Sequence, residues 1–161
     1  MIRILHTADW HIDSPMREFT DLQRRNLRAS LLELPGKIAD VCIREGCDLV
    51  LLAGDVFDGP YTREGYESVY RALERMAVPV FVTPGNHDHC GMDSPWEREI
   101  WPDNVRVFTK ERIESVALPE FDCRVYGAGY QAMDCHGLLA DFATEGTEKY
   151  HISLLQADPT Q

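Results

Sequence analysis

A continuous hydrophobic run, Leu49–Ala53, is followed directly by Gly54-Asp55 and is the segment around which the chain is organised. An unbroken apolar run of this length is typical of a strand that is buried on both faces of an α/β sheet. Residues 2–8 and 78–83 are also rich in aliphatic and β-branched side chains. The pattern therefore predicts three short strands in the first half of the chain.

Between these strands the hydrophobic positions change to a helical spacing. The spacing predicts one helix from about residue 21 to 45 and a second from about 62 to 77. Gly46 is a plausible C-cap for the first helix. Pro35-Gly36 is expected to kink or split that helix, because proline lacks the backbone N–H. A strand, a helix and a further strand form a βαβ unit, so the three strands are expected to be parallel.

In the second half of the chain the pattern changes to short segments that favour β-strands. The predicted elements are strands at 105–108, 112–118, 123–127 and 151–155 and a helix at 132–142. Pro119-Glu120 predicts a turn, so the strands on either side of it should pair antiparallel. Parallel βαβ units followed by β-rich segments predict an α/β domain with two packed sheets flanked by helices, spanning residues 1–161.

Polar side chains follow the ends of all three early strands. They are Asp9 and His11 after the first, Asp55 and Asp58 after the second, and Asn86, His87 and Asp88 after the third. Parallel strands end at one edge of a sheet, which is where open α/β sheets bind ligands. Any one of these motifs could be an ordinary turn. Together, their carboxylate, amide and imidazole groups predict a site for a divalent metal, and more readily for two; this mixture suits Mn²⁺, iron or Zn²⁺.

The motifs Asp9-x-His11, Gly54-Asp55-x-x-Asp58 and Gly85-Asn86-His87-Asp88 resemble the calcineurin-like metallophosphoesterase superfamily. The surrounding residues resemble its SbcD/YhaO-type DNA repair exonucleases. The resemblance implies a four-layer αββα sandwich and metal-dependent hydrolysis of DNA by two-metal activation of a water. It also implies Mn²⁺ as the metal and an SMC-like ATPase subunit as a partner.

The resemblance also implies a role for each motif residue. Asp55 would bridge two metals, Asp9 and His11 would bind the first, and Asn86 would bind the second. His87 would act on the leaving oxygen as a general acid or hydrogen-bond donor. Asp58 and Asp88 would orient the loops or the ligand histidines.

The resemblance fails near residue 156, where the family has a metal-binding histidine and this chain has Gln156. An amide oxygen is a poorer metal ligand than imidazole. The family's later Gly-His-x-His motif is also absent, so we expect a domain whose C-terminal part is missing. We expect at most one tightly bound metal. An incomplete second sheet would expose edges that favour pairing with another chain, such as a homodimer.

Composition adds constraints on partners and compartment. The net charge of −11 argues against a generally basic nucleic-acid surface. Arg17, Arg24, Arg25 and Arg28 form either a local basic patch or an ordinary solvated helix face. Five cysteines without a CxxC pair predict reduced thiols in a cytoplasmic protein. No apolar run approaches the roughly 20 residues of a membrane span, so no membrane partner is expected.

Two other functions remain open at the level of sequence. A phosphatase or small-molecule phosphodiesterase could use the same metal centre. A metal-poor, non-catalytic scaffold could keep the fold as a binding surface, and Gln156 favours this alternative. Activity on a generic aryl phosphodiester but not on DNA would distinguish the first alternative from a nuclease.

Overall fold

Two β-sheets lie face to face, and helices cover the outer face of the larger one. The computed structural model describes residues 1–131, 139 and 142–156. In chain order the elements are β1 (Ile4–Thr7), α1 (Asp21–Glu45), β2 (Leu49–Ala53), α2 (Arg63–Met76), β3 (Val80–Thr83), α3 (Pro95–Arg98), β4 (Val105–Val107), β5 (Glu114–Leu118), a 3₁₀ turn (Pro119–Phe121), β6 (Cys123–Gly127) and β7 (Tyr150–Leu154).

The larger sheet is parallel throughout and has the strand order β1-β2-β3-β4. All five residues of β2 are buried, as its unbroken apolar sequence predicts. Val50 and Leu52 pack in the core beneath α1 and α2, whereas Leu49, Leu51 and Ala53 pack in the core beneath the second sheet. This alternation is the two-residue period of a strand that has a hydrophobic layer on each side.

The smaller sheet has the order β5-β6-β7. Strands β5 and β6 are antiparallel across the turn at Pro119, as predicted, and β7 joins β6 in parallel. Leu118, Val125 and Leu154 face the larger sheet in the second core. Because β7 packs across β2 and β3, the residues just after Leu154 come close to the ends of those two strands.

Helix α1 is a single helix, so the predicted split at Pro35-Gly36 is wrong. Its neighbour α2 supplies hydrogen-bond donors to carbonyl groups of this turn: Ser68 donates to the Leu32 carbonyl and Arg75 to the Gly36 carbonyl. The carbonyl that lacks a helical N–H because of Pro35 is that of Leu31, four residues earlier, and these two bonds instead join α1 to α2 next to the proline. Gly46 ends the helix in the left-handed conformation, with φ of 60°, as predicted.

The first ten residues of α1 contain no buried side chain, and Leu22 is 69% exposed. The apolar pattern therefore predicted more packing in this half of the helix than the structure has. By contrast, Ala39 and Cys42 in the second half lie in the helix-side core.

The α/β class and the two packed sheets are confirmed. The predicted helix at 132–142, which would lie in an outer layer, falls almost wholly outside the described residues. Across the part of the chain that the structure describes, no helix is both long and apolar enough to cross a lipid bilayer.

Candidate metal centre

The loops after β1 and β2 are joined by backbone hydrogen bonds beyond the end of the sheet. The Asp9 N–H donates to the Gly54 carbonyl at 3.1 Å, and the His11 N–H donates to the Asp55 carbonyl at 3.0 Å. An isolated parallel bridge between Ile12 and Phe57 continues the pairing. The sheet edge therefore holds the two loops in register and brings Asp9, His11 and Asp55 together.

The backbone at these three residues is unusual. The φ angles of Asp9, His11 and Asp55 are 55°, 47° and 52°. Aspartate and histidine enter this left-handed region more readily than most side chains, but it remains costly. Such conformations persist only where the surrounding structure fixes them, and they concentrate at functional sites.

Asp9, His11 and Asp55, here called the Asp9 group, each place a ligand atom within 4.8 Å of the others. Asp55 is buried, His11 is half-buried and Asp9 is exposed, so the group opens to solvent at one side. Two carboxylates and one imidazole form a donor set that fits a borderline divalent cation such as Mn²⁺ or Zn²⁺. The chemistry of the residues present therefore fits one metal at this position.

Asp88 is buried and anchors the loops from below. Its carboxylate accepts four backbone N–H groups, those of Gly85 at 2.7 Å, Val56 at 2.9 Å, and Asp55 and Phe57 at 3.2 Å. Burial raises the pKa of Asp88 to about 6, against the lowering effect of the N–H donors. This one side chain fixes the loops after β2 and β3 relative to each other.

Asp58 lies between two histidines. His87 Nδ1 lies 2.7 Å from Asp58 Oδ1, and His11 Nδ1 lies 3.8 Å from Asp58 Oδ2. The hydrogen bond to Asp58 raises the pKa of His87, although burial opposes the change. Burial also acts to raise the pKa of Asp58, but hydrogen bonds from Ser14 and His87 outweigh it and lower that pKa. Because Nδ1 of His87 faces a carboxylate, Nε2 is the ring nitrogen that remains for a substrate.

Gln156 and Asn86, here called the Asn86 group, are linked to Asp55 by hydrogen bonds of the Gln156 side chain. Gln156 Nε2 donates to Asp55 Oδ2 at 2.8 Å and to Asn86 Oδ1 at 3.2 Å. Gln156 Oε1 accepts the Asn86 N–H at 3.1 Å. The amide of Gln156 thus turns its N–H₂ toward the oxygens, whereas the sequence suggested a carbonyl oxygen as a metal ligand. With this arrangement the Asn86 group does not fit a cation.

Comparison with known families places most of the chain in one of them. Residues 2–150 match the model of the calcineurin-like phosphoesterase family. The chain belongs to the calcineurin-like phosphoesterase family. This membership agrees with the α/β fold and with the family resemblance of the three strand-end motifs.

Individual relatives of this chain include YhaO and SbcD proteins. It is 30% identical over 141 residues to the uncharacterized metallophosphoesterase YhaO of Bacillus subtilis, covering 81% of this chain and 34% of that protein. It is 36% identical over 93 residues to the SbcD component of the nuclease SbcCD of Rhodobacter capsulatus, and 32% over 93 residues to that of Bacillus subtilis. These matches cover 54% and 55% of this chain and 22% of each SbcD protein. The chain therefore spans about a third or less of these relatives' lengths.

A cleft of about 750 Å³ adjoins the candidate metal centre at His87. Its walls include Tyr61, Met92 and two arginines, Arg63 and Arg98. Both arginines are paired with carboxylates: Arg63 with Glu67 at 2.9 Å and Arg98 with Asp93 at 3.2 Å. The cleft is wide enough for a phosphodiester and its flanking groups, but its positive charge is largely neutralised.

Asp13 is a supporting residue that the sequence did not single out. Its carboxylate accepts the Thr62 N–H at 2.7 Å and the Thr62 hydroxyl, and lies 3.4 Å from Arg28. Thr62 is also the N-cap of α2, so Asp13 joins the loop after β1 to that helix. The only sequence signal was its place two residues after His11. Arg28 is thus part of an ion pair, and Arg24 pairs with Asp21 in the same way.

Proposed function

We propose that this chain is a metal-dependent phosphodiester hydrolase domain of the DNA nuclease type, with Mn²⁺ as its metal. The observation that carries the proposal is the Asp9 group, whose three ligand atoms lie within 4.8 Å of one another at the edge of the parallel sheet. Packing does not require two carboxylates and an imidazole at strained backbone positions. Family membership supports the same chemistry.

Asp9, His11 and Asp55 would hold the cation. When bound, the cation supplies charge neutralisation for a phosphate and lowers the pKa of a water. Asp55 keeps one oxygen engaged with the His87 N–H at 2.9 Å, so it also sets the position of the next residue in the mechanism. Asp88 holds the loop backbone beneath them and keeps this geometry in place before substrate binds.

His87 is proposed to protonate the leaving oxygen through Nε2. Its Nδ1 must carry a hydrogen, since Asp58 is an acceptor, so only the imidazolium form has a proton on Nε2 to donate. The hydrogen bond to Asp58 raises the pKa of His87 and so favours that form. Asp58 is therefore a positioning residue for His87, and the adjoining cleft receives the leaving group.

DNA is the substrate that we propose first, because relatives with 36% and 32% identity are named as nuclease components. By the same analogy we propose an SMC-like ATPase subunit as a partner. The four buried free cysteines among the described residues support a reducing, cytoplasmic location.

One observation favours a second candidate, a phosphodiesterase for small molecules. The two arginines of the cleft are already paired with carboxylates, and the chain has a net charge of −11. A long polyanion gains affinity from free cationic groups along its backbone, whereas a single small phosphodiester needs fewer of them.

Hydrolysis of single- and double-stranded DNA and of bis(p-nitrophenyl) phosphate, with and without Mn²⁺, tests both candidates. Mn²⁺-dependent cleavage of DNA supports the nuclease, and cleavage of the aryl diester alone supports the second candidate. Asp55→Asn removes the carboxylate shared by both groups, and Asp103→Asn changes an exposed carboxylate outside the centre. Equal activity in these two variants would contradict the proposed metal centre.

A further inference from the structure

One oxygen of Asp55 and one of Asn86 share a single donor. Asp55 Oδ2 and Asn86 Oδ1 both accept from the N–H₂ of Gln156, at 2.8 and 3.2 Å. The family resemblance implies that a second cation would be bound by Asp55 and Asn86, and such a cation would need these same two oxygens. We propose that the Gln156 amide occupies the second cation position and holds the centre in a one-metal state.

A hydrogen bond to the oxygen of the Gln156 amide fixes the orientation of that amide. Gln156 Oε1 accepts the Asn86 backbone N–H at 3.1 Å. Turning the amide over would present its oxygen to Asp55 and Asn86, as metal binding requires. The same rotation would place an N–H₂ against the Asn86 N–H, and two donors facing each other leave both unsatisfied. The backbone of Asn86 therefore opposes the rotamer in which Gln156 could act as a ligand.

Two glycines make room for the amide. A Cβ atom at Gly54 or at Gly85 would overlap Gln156 Oε1, and one at Gly85 would also overlap Asp55 Oδ1. The two loops therefore form a close-fitting cradle around the side chain. A rearrangement that admits a cation must move Gln156 out of this cradle.

The Asp9 group differs in this respect. Among residues 1–131, 139 and 142–156, no side chain or backbone group donates a hydrogen bond to the carboxylate of Asp9. Asp55 retains further lone pairs on both oxygens, since each carboxylate oxygen accepts more than one partner. The first position can thus take a cation without breaking the bonds of Gln156.

This inference rests on the proposed metal centre, and its test separates the two. Equilibrium dialysis against Mn²⁺, followed by metal analysis and electron paramagnetic resonance, counts the ions and detects coupling between neighbours. We expect one Mn²⁺ per chain in the native protein. Gln156→His replaces the amide with imidazole, a good ligand for this metal, and we expect two coupled ions. Gln131→His, the same change at an exposed residue, should leave one.

Gln156→Glu offers a second route if the histidine variant folds poorly. It removes the N–H₂ group that takes the place of the cation and supplies a carboxylate oxygen that Asp55 repels in the absence of metal, so we expect two ions again. In the metal-free protein, Gln156→Ala should speed hydrogen exchange at the Asn86 amide, because its acceptor is lost.

Two coupled ions in the native protein, or one ion in the native protein and in both the histidine and glutamate variants, would overturn the role of Gln156. No bound ion in any variant would overturn the proposed metal centre and this inference together. Unchanged exchange at the Asn86 amide in Gln156→Ala would also count against the proposal.

Discussion

The Asp9 group and the Asn86 group both involve the carboxylate of Asp55, but they differ in how far their polar atoms are already hydrogen-bonded. On the Asp9 side, ligand atoms converge and the Asp9 carboxylate accepts no hydrogen bond from the described residues. On the Asn86 side, every polar atom of the Gln156 side chain is used within the group and its shared carboxylate. Under the proposal above, a residue at a ligand position of the family keeps a cation away.

The difference arises because the Asn86 group includes a residue from the smaller sheet, whereas the Asp9 group does not. The Asp9 group comes from the larger sheet alone, where β1 and β2 are adjacent and parallel. Gln156 comes from the smaller sheet, two residues beyond the end of β7. Its side chain extends from the smaller sheet toward the larger one, where it forms hydrogen bonds with both Asp55 and Asn86.

Asp55 is the residue that joins the two groups, so its substitution should have the largest effect. We expect Asp55→Asn to lower Mn²⁺-dependent hydrolysis by about 10³-fold or more, because a bound metal contributes several kcal/mol of charge stabilisation. Initial rates on bis(p-nitrophenyl) phosphate at saturating Mn²⁺ measure the loss. Asp103→Asn is the matched control, and a similar loss in that variant would contradict the assignment.

The two groups should respond differently when each is changed alone. We expect Asp9→Asn to weaken the binding of the first Mn²⁺ by about 10²-fold or more, because Asp9 is itself a ligand and the loss of groups that only support ligands already costs about 10–100-fold. Asparagine suits the test, because it tolerates the left-handed backbone at this position. Asn86→Ala should leave the first affinity within about twofold. Isothermal titration with Mn²⁺ measures both, and equal losses would break the comparison.

Asp88 binds the backbone of the loops that carry both groups, so we expect its substitution to lower the stability of the fold. We expect Asp88→Asn to lower the free energy of unfolding by about 2–3 kcal/mol, because an amide N–H₂ replaces one acceptor and faces buried N–H groups. Urea denaturation at about pH 8, above the pKa of about 6, measures the ionised form. A change below about 0.5 kcal/mol, the range of ordinary surface substitutions, would show that the loops do not depend on Asp88.

The smallest effect concerns His87. The hydrogen bond from His87 to Asp58 raises the His87 pKa, so Asp58→Asn should lower that pKa in the metal-free protein. A raised histidine pKa stabilises the fold below the unfolded value of about 6.5, and this contribution is lost as pH rises through the folded pKa. The stability difference between the two proteins should therefore be larger at acidic than at alkaline pH. NMR titration follows His87, with His151 as an internal control; an unchanged His87 pKa would exclude the role of Asp58.

Much of the fold followed from local pattern. Helix α1 begins and ends at the predicted residues 21 and 45, and strand β6 has the predicted bounds Cys123–Gly127. Hydrophobic periodicity did not predict features that depend on contacts between residues far apart in the sequence. The split at Pro35 did not occur, and the packing of α2 along this part of the helix, through Ser68 and Arg75, is a contact that local periodicity does not reveal. The pairing of β4 with β3 is likewise a choice of partner that a short apolar run does not encode.

The candidate site likewise has features that the sequence predicts and features that it does not. The convergence of Asp9, His11 and Asp55 follows from strand order, since the ends of adjacent parallel strands meet at one edge. The orientation of Gln156 does not, because it depends on a backbone N–H that lies 70 residues earlier in the chain. Asp13 was missed for a similar reason: its partner Thr62 lies 49 residues later.

Strand β2 contributes side chains to both hydrophobic cores. Its even-numbered residues Val50 and Leu52 complete one hydrophobic core, and its odd-numbered residues, with Leu49 and Leu51 among them, complete the other. Because β2 contributes to both cores, its loss would disrupt both layers, and we expect the two layers to unfold as one cooperative unit.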